Sequence, residues 1–108
     1  DQAIVYLKKF SSDDLLLSNM AIANIGDAYM QLKDYKKAAE YYAKAASSKL
    51  NDFSTPIFLM KNALAHEKAG DAASALKVYE RIEKEFPNSS EARNIEKYIT
   101  RVKTNLKK

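Results

Sequence analysis

The sequence predicts an all-α fold built as a stack of antiparallel helical hairpins. Of the 108 residues, only two are glycine and two are proline, which is too few for the many turns of a β-rich fold. Apolar residues make up 46% of the chain and recur at helical spacing, so a packed helical core is expected. Segments 26–45 and 63–82 share four residues at a constant offset of 37, which indicates an internal repeat.

Three helices are predicted in the first half of the chain. The first covers residues 1–10 and the second covers residues 17–32. The apolar stripe of the second helix is Ile22, Ile25, Tyr29 and Leu32. The third covers residues 35–48, with Asp34 as its N-cap, because a carboxylate there can accept a free backbone N–H of the first turn.

Two more helices are predicted from the turn and cap residues that follow. The fourth starts at Thr55, a cap residue followed by Pro56, and it ends at Gly70, which suits a left-handed backbone. The fifth covers residues 72–86, with Asp71 as its N-cap. Because the connections at Asp34 and at Gly70–Asp71 are short, each pair of helices must be antiparallel.

A sixth helix is predicted over residues 90–106, after Pro87 has ended the fifth. Asn88 and Glu91 have the spacing of a capping box at its start. The apolar stripe of this helix is Ile95, Ile99, Val102 and Leu106.

The columns that the two repeated segments share are interpreted as packing positions. Ala38 and Ala75 lie early in the second helix of each hairpin, where a small side chain lets two helices approach closely. Tyr42 and Tyr79 follow one turn later on the same face, where a ring fills a wider gap. The matching small residues on the first helix of each hairpin are Gly26 and Ala63.

This pattern resembles the tetratricopeptide repeat, a helix–turn–helix unit of about 34 residues. The residues that carry the resemblance are Gly26, Tyr29, Ala38, Tyr42 and Ala45, and then Ala63, Gly70, Ala75, Tyr79 and Pro87. The longer offset is assigned to extra residues in the loop "SSKLNDFSTP", and Leu50 and Ile82 depart from the family pattern. The resemblance implies a right-handed superhelical solenoid of stacked hairpins with a C-terminal capping helix.

The resemblance also implies one repeat domain over residues 1–108. Residues 1–16 would be the second helix of a truncated repeat with its loop, and the full repeats would cover 17–51 and 52–88. Residues 89–108 would form a capping helix with a polar outer face. We expect a fragment of a longer protein. The segment most resembles the C-terminal repeats of bacterial envelope-associated proteins of this family, which favours a periplasm-facing position, anchored by a missing N-terminal segment.

The sequence carries no pattern of a catalytic or metal site. No cysteine is present, which excludes thiolate ligands and cysteine nucleophiles. The one histidine, His66, takes the packing column that Tyr29 holds in the other repeat, and we interpret it as a ring at a helix contact rather than as a general base. Since glycine occurs only at positions 26 and 70, no Gly-rich phosphate loop can form. We therefore expect a protein without enzyme activity, cofactor or metal.

The positive charge of the chain is concentrated at its C-terminal end. Residues 91–108 hold six basic and two acidic residues and account for the whole net charge of +4. Arg93, Lys97 and Arg101 form a stripe that could contact nucleic acid or anionic lipid, or could simply be a solvated face that suits the helix macrodipole. We favour the solvated face and expect no nucleic-acid partner. Membrane contact is expected only through an anchor upstream of the chain.

The family resemblance implies that the first helix of each repeat lines a concave groove for a protein or peptide partner. The candidate groove residues are Met20, Ala23, Asn24, Asp27, Met30, Gln31, Ile57, Met60, Lys61, Leu64, Lys68, Glu91, Asn94 and Tyr98. A clamp for a terminal carboxylate is not expected, because only Lys61 is basic among the positions that match it. The three methionines of the set suit an adaptable apolar ligand, or they pack between repeats.

Two functions are predicted from these features. The first is a non-enzymatic protein–protein interaction scaffold that holds its partner in the groove. The alternative is a structural segment that self-associates into a homo-oligomer, because two repeats are short for a solenoid.

Overall fold

Helices account for most of the described part of the chain, and four of them form two hairpins. A computed structural model describes residues 18–47 and 54–107, and these contain no β-strand. The helices are α1 (Ser18–Gln31), α2 (Tyr35–Ser47), α3 (Ser54–Lys68), α4 (Ala72–Glu85) and α5 (Ile95–Leu106), with a 3-10 helix at Glu91–Asn94. Each helix packs mainly on the next one along the chain. The predicted all-α stack of hairpins is thus confirmed, its right-handed superhelical sense stays a prediction, and the predicted helix over residues 1–10 lies outside the described residues.

The same backbone turn joins the two helices of each hairpin. Lys33 and Gly70, which occupy the same column of the repeat, have left-handed backbone angles with φ of 63° and 84°. The residue after each of them caps the next helix: Asp34 accepts a hydrogen bond at 3.3 Å from the backbone N–H three residues later, and Asp71 does so at 3.0 Å. The two predicted caps and the left-handed Gly70 are confirmed, whereas Lys33 adopts this conformation without the freedom of glycine.

Two helix starts differ from their predictions. α3 begins at Ser54, so Thr55 and Pro56 lie inside its first turn, where a missing backbone N–H breaks no helical hydrogen bond. The last segment is capped by Ser89 and not by the predicted pair of Asn88 and Glu91. The Oγ of Ser89 accepts the backbone N–H of the residue three positions later at 3.1 Å, and a short 3-10 helix then precedes α5.

A buried tyrosine lies between the two helices of each hairpin. Tyr42 and Tyr79 are buried, as are the alanines Ala38 and Ala75 one turn before them. A Cβ atom added to Gly26 would lie 2.8 Å and 2.9 Å from two ring carbons of Tyr42, so the ring leaves no room for a side chain there. The shared columns of Ala38 and Tyr42 are therefore points of close packing, as the sequence predicts, whereas the shared column of Asp34 and Asp71 supplies exposed helix caps.

Two residues of the predicted apolar stripes lie at the surface instead of in the core. Leu32 is 53% exposed, because α1 ends at Gln31 and Leu32 begins the turn. Leu106 is 47% exposed at the last position of α5. The buried members of the two stripes are Ile25, Tyr29, Ile95, Ile99 and Val102.

The contact at Gly26 predicts that Gly26→Ala destabilises the protein although alanine favours helix. Overpacking a close helix contact costs about 1–3 kcal/mol, whereas the helical propensity of alanine returns only about 1 kcal/mol. We expect the free energy of unfolding in urea to fall by up to about 2 kcal/mol. Ala73→Gly on the exposed face of α4 is the control that measures the propensity difference alone. A Gly26→Ala protein more stable than the wild type would contradict this account of the contact.

Candidate functional site

The predicted groove residues lie on α1, on α3 and in the segment 91–98. Those that are exposed are Met20, Asn24, Gln31, Lys68 and Asn94. Those that are partly buried are Asp27, Met30, Ile57, Met60, Lys61, Leu64, Glu91 and Tyr98. Ala23 is only 2% exposed and belongs to the hydrophobic core, so no ligand can reach it. Its assignment to the groove is corrected accordingly.

Asp27 joins three helices at the groove. Its Oδ1 accepts a hydrogen bond from the hydroxyl of Tyr42 on α2 and lies 3.0 Å from the Nζ of Lys61 on α3. The side chains of Lys61 and Asp27 are 40% and 42% exposed, so solvent screens the ion pair and it adds little to stability by itself. Its structural effect is to place the first helix of one hairpin beside the first helix of the next.

Glu67 makes the same set of contacts in the second hairpin. Its Oε1 accepts the hydroxyl of Tyr79 at 2.5 Å and the Nη2 of Arg101 on α5 at 2.6 Å, while the Nε of Arg101 lies 3.2 Å from Oε2. This two-point contact between a guanidinium and a carboxylate fixes direction as well as distance. We refer to Tyr42–Asp27–Lys61 and Tyr79–Glu67–Arg101 as the two tyrosine–carboxylate–cation triads.

The second triad also positions an aromatic residue of the predicted groove. The ring of Tyr98 stacks on the ring of Tyr79 with centroids 5.4 Å apart, and the guanidinium of Arg101 lies 4.9 Å from the centroid of Tyr98. α5 is therefore attached to the preceding hairpin by stacked rings as well as by an ion pair.

The tyrosines of the triads are held in their protonated form. Burial, followed by the hydrogen bond to Asp27, raises the pKa of Tyr42 above its ordinary value of 10.0. Burial and the hydrogen bond to Glu67 raise the pKa of Tyr79 in the same way. The hydrogen bond to Glu67 also raises the pKa of Arg101, which stays charged. At neutral pH the hydroxyl of each tyrosine therefore remains a hydrogen-bond donor.

The first triad pairs two charges of the predicted groove with each other and leaves a partly exposed apolar surface beside them, whereas Lys68 is exposed and forms no ion pair with the described residues. Lys61 is paired with Asp27, so a ligand meets no isolated ammonium group there. Met30 and Met60 are partly buried and pack against the hydrophobic core, while Leu64 is partly buried one turn from Lys61 on α3. Met30 and Met60 contact the core while keeping exposed surface, and Met20 is exposed. That these methionines hold an apolar ligand stays a prediction.

Sequence reasoning missed the triads, although one signal for them is present. In each triad the carboxylate and the cation are 34 residues apart, which is the typical length of a repeat in this family. Glu67 lies three residues beyond the column of Asp27, so alignment at an offset of 37 places Leu64 and not Glu67 opposite Asp27. A search for opposite charges separated by one repeat length would have found both pairs.

Within 18–47 and 54–107, no group of three histidine, aspartate or glutamate side chains is arranged to hold a metal ion. No helix in those two ranges has the length and the apolar character needed to cross a bilayer. His66 is partly buried and lines a cleft between α2 and α3.

Two models of the tetratricopeptide repeat match the chain, one over residues 21–52 and the other over residues 59–89. The chain belongs to the tetratricopeptide repeat family. Each matched segment contains one of the two packing tyrosines, so the resemblance drawn from the shared columns is confirmed. Repeats of this family are in general non-enzymatic scaffolds for protein–protein interaction. The chain matches no curated protein and no solved structure.

The second triad predicts measurable coupling between Glu67 and Arg101. In a double-mutant cycle with Glu67→Gln and Arg101→Met, we expect a coupling energy of about 1 kcal/mol in urea unfolding, because the contact is bidentate and the carboxylate is largely covered. The control is the exposed pair Arg81–Glu85 on α4, for which about 0.3–0.5 kcal/mol is expected. Equal coupling energies in the two cycles would show that the triad adds nothing to an ordinary surface pair.

The raised pKa values of Tyr42 and Tyr79 predict a loss of stability in alkali. The folded state keeps protons that the unfolded chain releases above its ordinary tyrosine pKa of about 10. The two hydroxyl groups therefore make their full contribution to the free energy of unfolding below pH 10. This contribution is lost as the pH rises toward the pKa values of the two tyrosines in the folded state. We expect urea unfolding followed by circular dichroism to show a steeper decline above pH 10 for the wild type than for the double variant Tyr42→Phe, Tyr79→Phe. Lysines also titrate in this range but are common to both proteins, so identical slopes would contradict the prediction.

Proposed function

We propose that this chain is an interaction scaffold that holds an apolar segment of a partner protein in the groove along α1, α3 and residues 91–98. We further propose that the scaffold unit consists of the repeats 17–51 and 52–88 closed by the capping helix of 89–108. The observation that carries the proposal is the pair of triads. They tie α1 to α3 and α3 to α5, and most of the predicted groove residues lie on α1 and α3.

The paired charges favour an apolar partner segment over a charged one. A ligand carboxylate entering beside Lys61 would have to compete with Asp27 at 3.0 Å. A ligand that binds to the apolar surface of Met30, Met60 and Leu64 displaces no ion-pair partner, because binding there only removes apolar area from water. Methionine side chains adapt to ligands of different shape, which suits a scaffold.

Polar groups at the edge of this surface can set the direction of the bound segment. Asn24 and Gln31 are exposed on α1, on either side of Asp27. Their amides can bond the backbone of an extended peptide, as donors and as acceptors. We propose that these amides, with Asp27 and Lys61, orient the partner, while the apolar residues supply the affinity.

Site-specific photo-crosslinking in the cells that produce the protein tests the groove. A benzophenone amino acid replaces Leu64 in the groove in one sample and the exposed Glu80 of α4 in the other. We expect a discrete crosslinked partner from position 64 and none from position 80. A peptide of the crosslinked partner should then bind the purified chain and lose at least tenfold in affinity with Met60→Asp, since a buried apolar contact is replaced by a charge.

The matched control for Met60→Asp is Leu76→Asp, another partly buried apolar residue that lies on α4 outside the groove. Equal losses of affinity in the two variants would mean that the substitution acts through stability and would count against the groove. A position-64 product that contains only this chain, with a concentration-dependent mass in sedimentation, would favour the alternative of self-association. Crosslinks from position 80 alone would place the partner on α4 and would count against the groove.

A further inference from the structure

A cleft of about 360 Å³ opens between α2 and α3. Ala39 and Ala43 line it from α2, and Asn62 and His66 line it from α3. None of the predicted groove residues lines this cleft. It is therefore a second candidate site, separate from the groove.

The cleft lies where the second repeat departs from the packing pattern of the first. At the columns where the first repeat has the buried residues Ile25 and Tyr29, the second repeat has Asn62 and His66. Two apolar packing positions have thus become polar, and both polar side chains line the same cleft. Departures from a fold's own packing rules are expected where function constrains the residues.

Asn62 provides a buried hydrogen-bond acceptor that is not used within the described residues. The side chain is 4% exposed, and its Nδ2 donates to the carbonyl of Ala39 at 2.7 Å. Its Oδ1 takes part in no hydrogen bond with the described residues, yet none of their fully buried side-chain oxygens lacks a partner. Since Asn62 lines the cleft, a ligand donor there could bond this Oδ1 without displacing a protein group.

The charged rim of the cleft offers more acceptors than donors. It carries the carboxylates of Glu40 and Asp71 against the single ammonium group of Lys36. Hydrogen bonds from the side chain and the backbone of Ser74 lower the pKa of Asp71, which keeps that carboxylate ionised. Glu40 is exposed and forms no ion pair with the residues of 18–47 and 54–107.

We propose that this cleft binds an arginine side chain of a partner protein. The guanidinium carries five donors in one plane, which match the Oδ1 of Asn62 and the carboxylates of Glu40 and Asp71. Its flat face can stack on the imidazole of His66, and its aliphatic stem can cover the alanines of α2. A lysine has a compact ammonium group that cannot stack on the imidazole, so it would make fewer of these contacts.

A titration with N-acetyl-L-arginine amide, followed by NMR, tests the site directly. We expect saturable shifts of the side-chain amide of Asn62 and of the imidazole of His66. The neutral isostere N-acetyl-L-citrulline amide should bind several-fold more weakly, because it lacks the charge that strengthens these hydrogen bonds. N-acetyl-L-tryptophan amide should give no saturable shift of the same signals.

Two pairs of variants separate a specific site from general charge attraction. Glu40→Gln should weaken the arginine probe about two- to fivefold, the effect of losing one exposed ion pair, whereas Glu83→Gln on the exposed face of α4 should not. Ala43→Phe should fill the cleft and abolish the saturable shifts, whereas Ala73→Phe on α4 should leave them unchanged. Both alanines are exposed, so circular dichroism should show that all variants remain folded.

The proposal is overturned by any of three results. The arginine probe gives no saturable shift at Asn62 and His66, or the citrulline or tryptophan probe binds as well as the arginine probe, or Ala43→Phe leaves the binding of the arginine probe intact. None of these results bears on the groove, because the two sites share no residue.

Discussion

The stack depends on one contact, the buried tyrosine between the two helices of each hairpin. The ring of Tyr42 lies so close to Gly26 that no side chain fits between them. Tyr79 and Ala63 occupy the same two columns in the second hairpin, and both are fully buried. The same residue acts at both ends of its side chain. Its ring holds the hairpin together by apolar packing, and its hydroxyl meets a carboxylate that is paired with the next hairpin. Packing within one repeat is thereby coupled to contact between repeats.

The sequence predicted those parts of the fold that depend on neighbours along the chain. The caps at Asp34 and Asp71 and the turn at Gly70 follow from local backbone chemistry, so their residues identify them directly. The burial of Ala38 and Tyr42 could be predicted because a repeat must bury the same face each time it stacks. The burial of Ala23 was missed, because its column has no match among the four shared residues and its position on α1 is compatible with either face.

The polar contacts of the site could be predicted less well, because they join residues that are far apart in sequence. Both triads connect three helices, and Glu67 takes its place one helical turn away from the column of Asp27. The helices are arranged alike in the two repeats, but the carboxylates come from positions one helical turn apart. Each carboxylate still reaches the hydroxyl of the tyrosine in its own repeat. A column-by-column alignment pairs equivalent backbone positions. It therefore overlooks two carboxylates that make the same contact from different columns.

The two proposed sites differ in how their polar groups are satisfied, and this difference assigns them different roles. Beside Met60 in the groove, Lys61 is already paired with Asp27, so the charge there contributes little to recognition and affinity must come from apolar area. In the cleft, the Oδ1 of Asn62 and the carboxylate of Glu40 remain available, so recognition depends on a ligand that brings donors. A partner that carries an arginine at the right distance from an apolar segment would engage both sites at once. The second contact would then form at a high effective concentration, and two modest interactions would give selective binding.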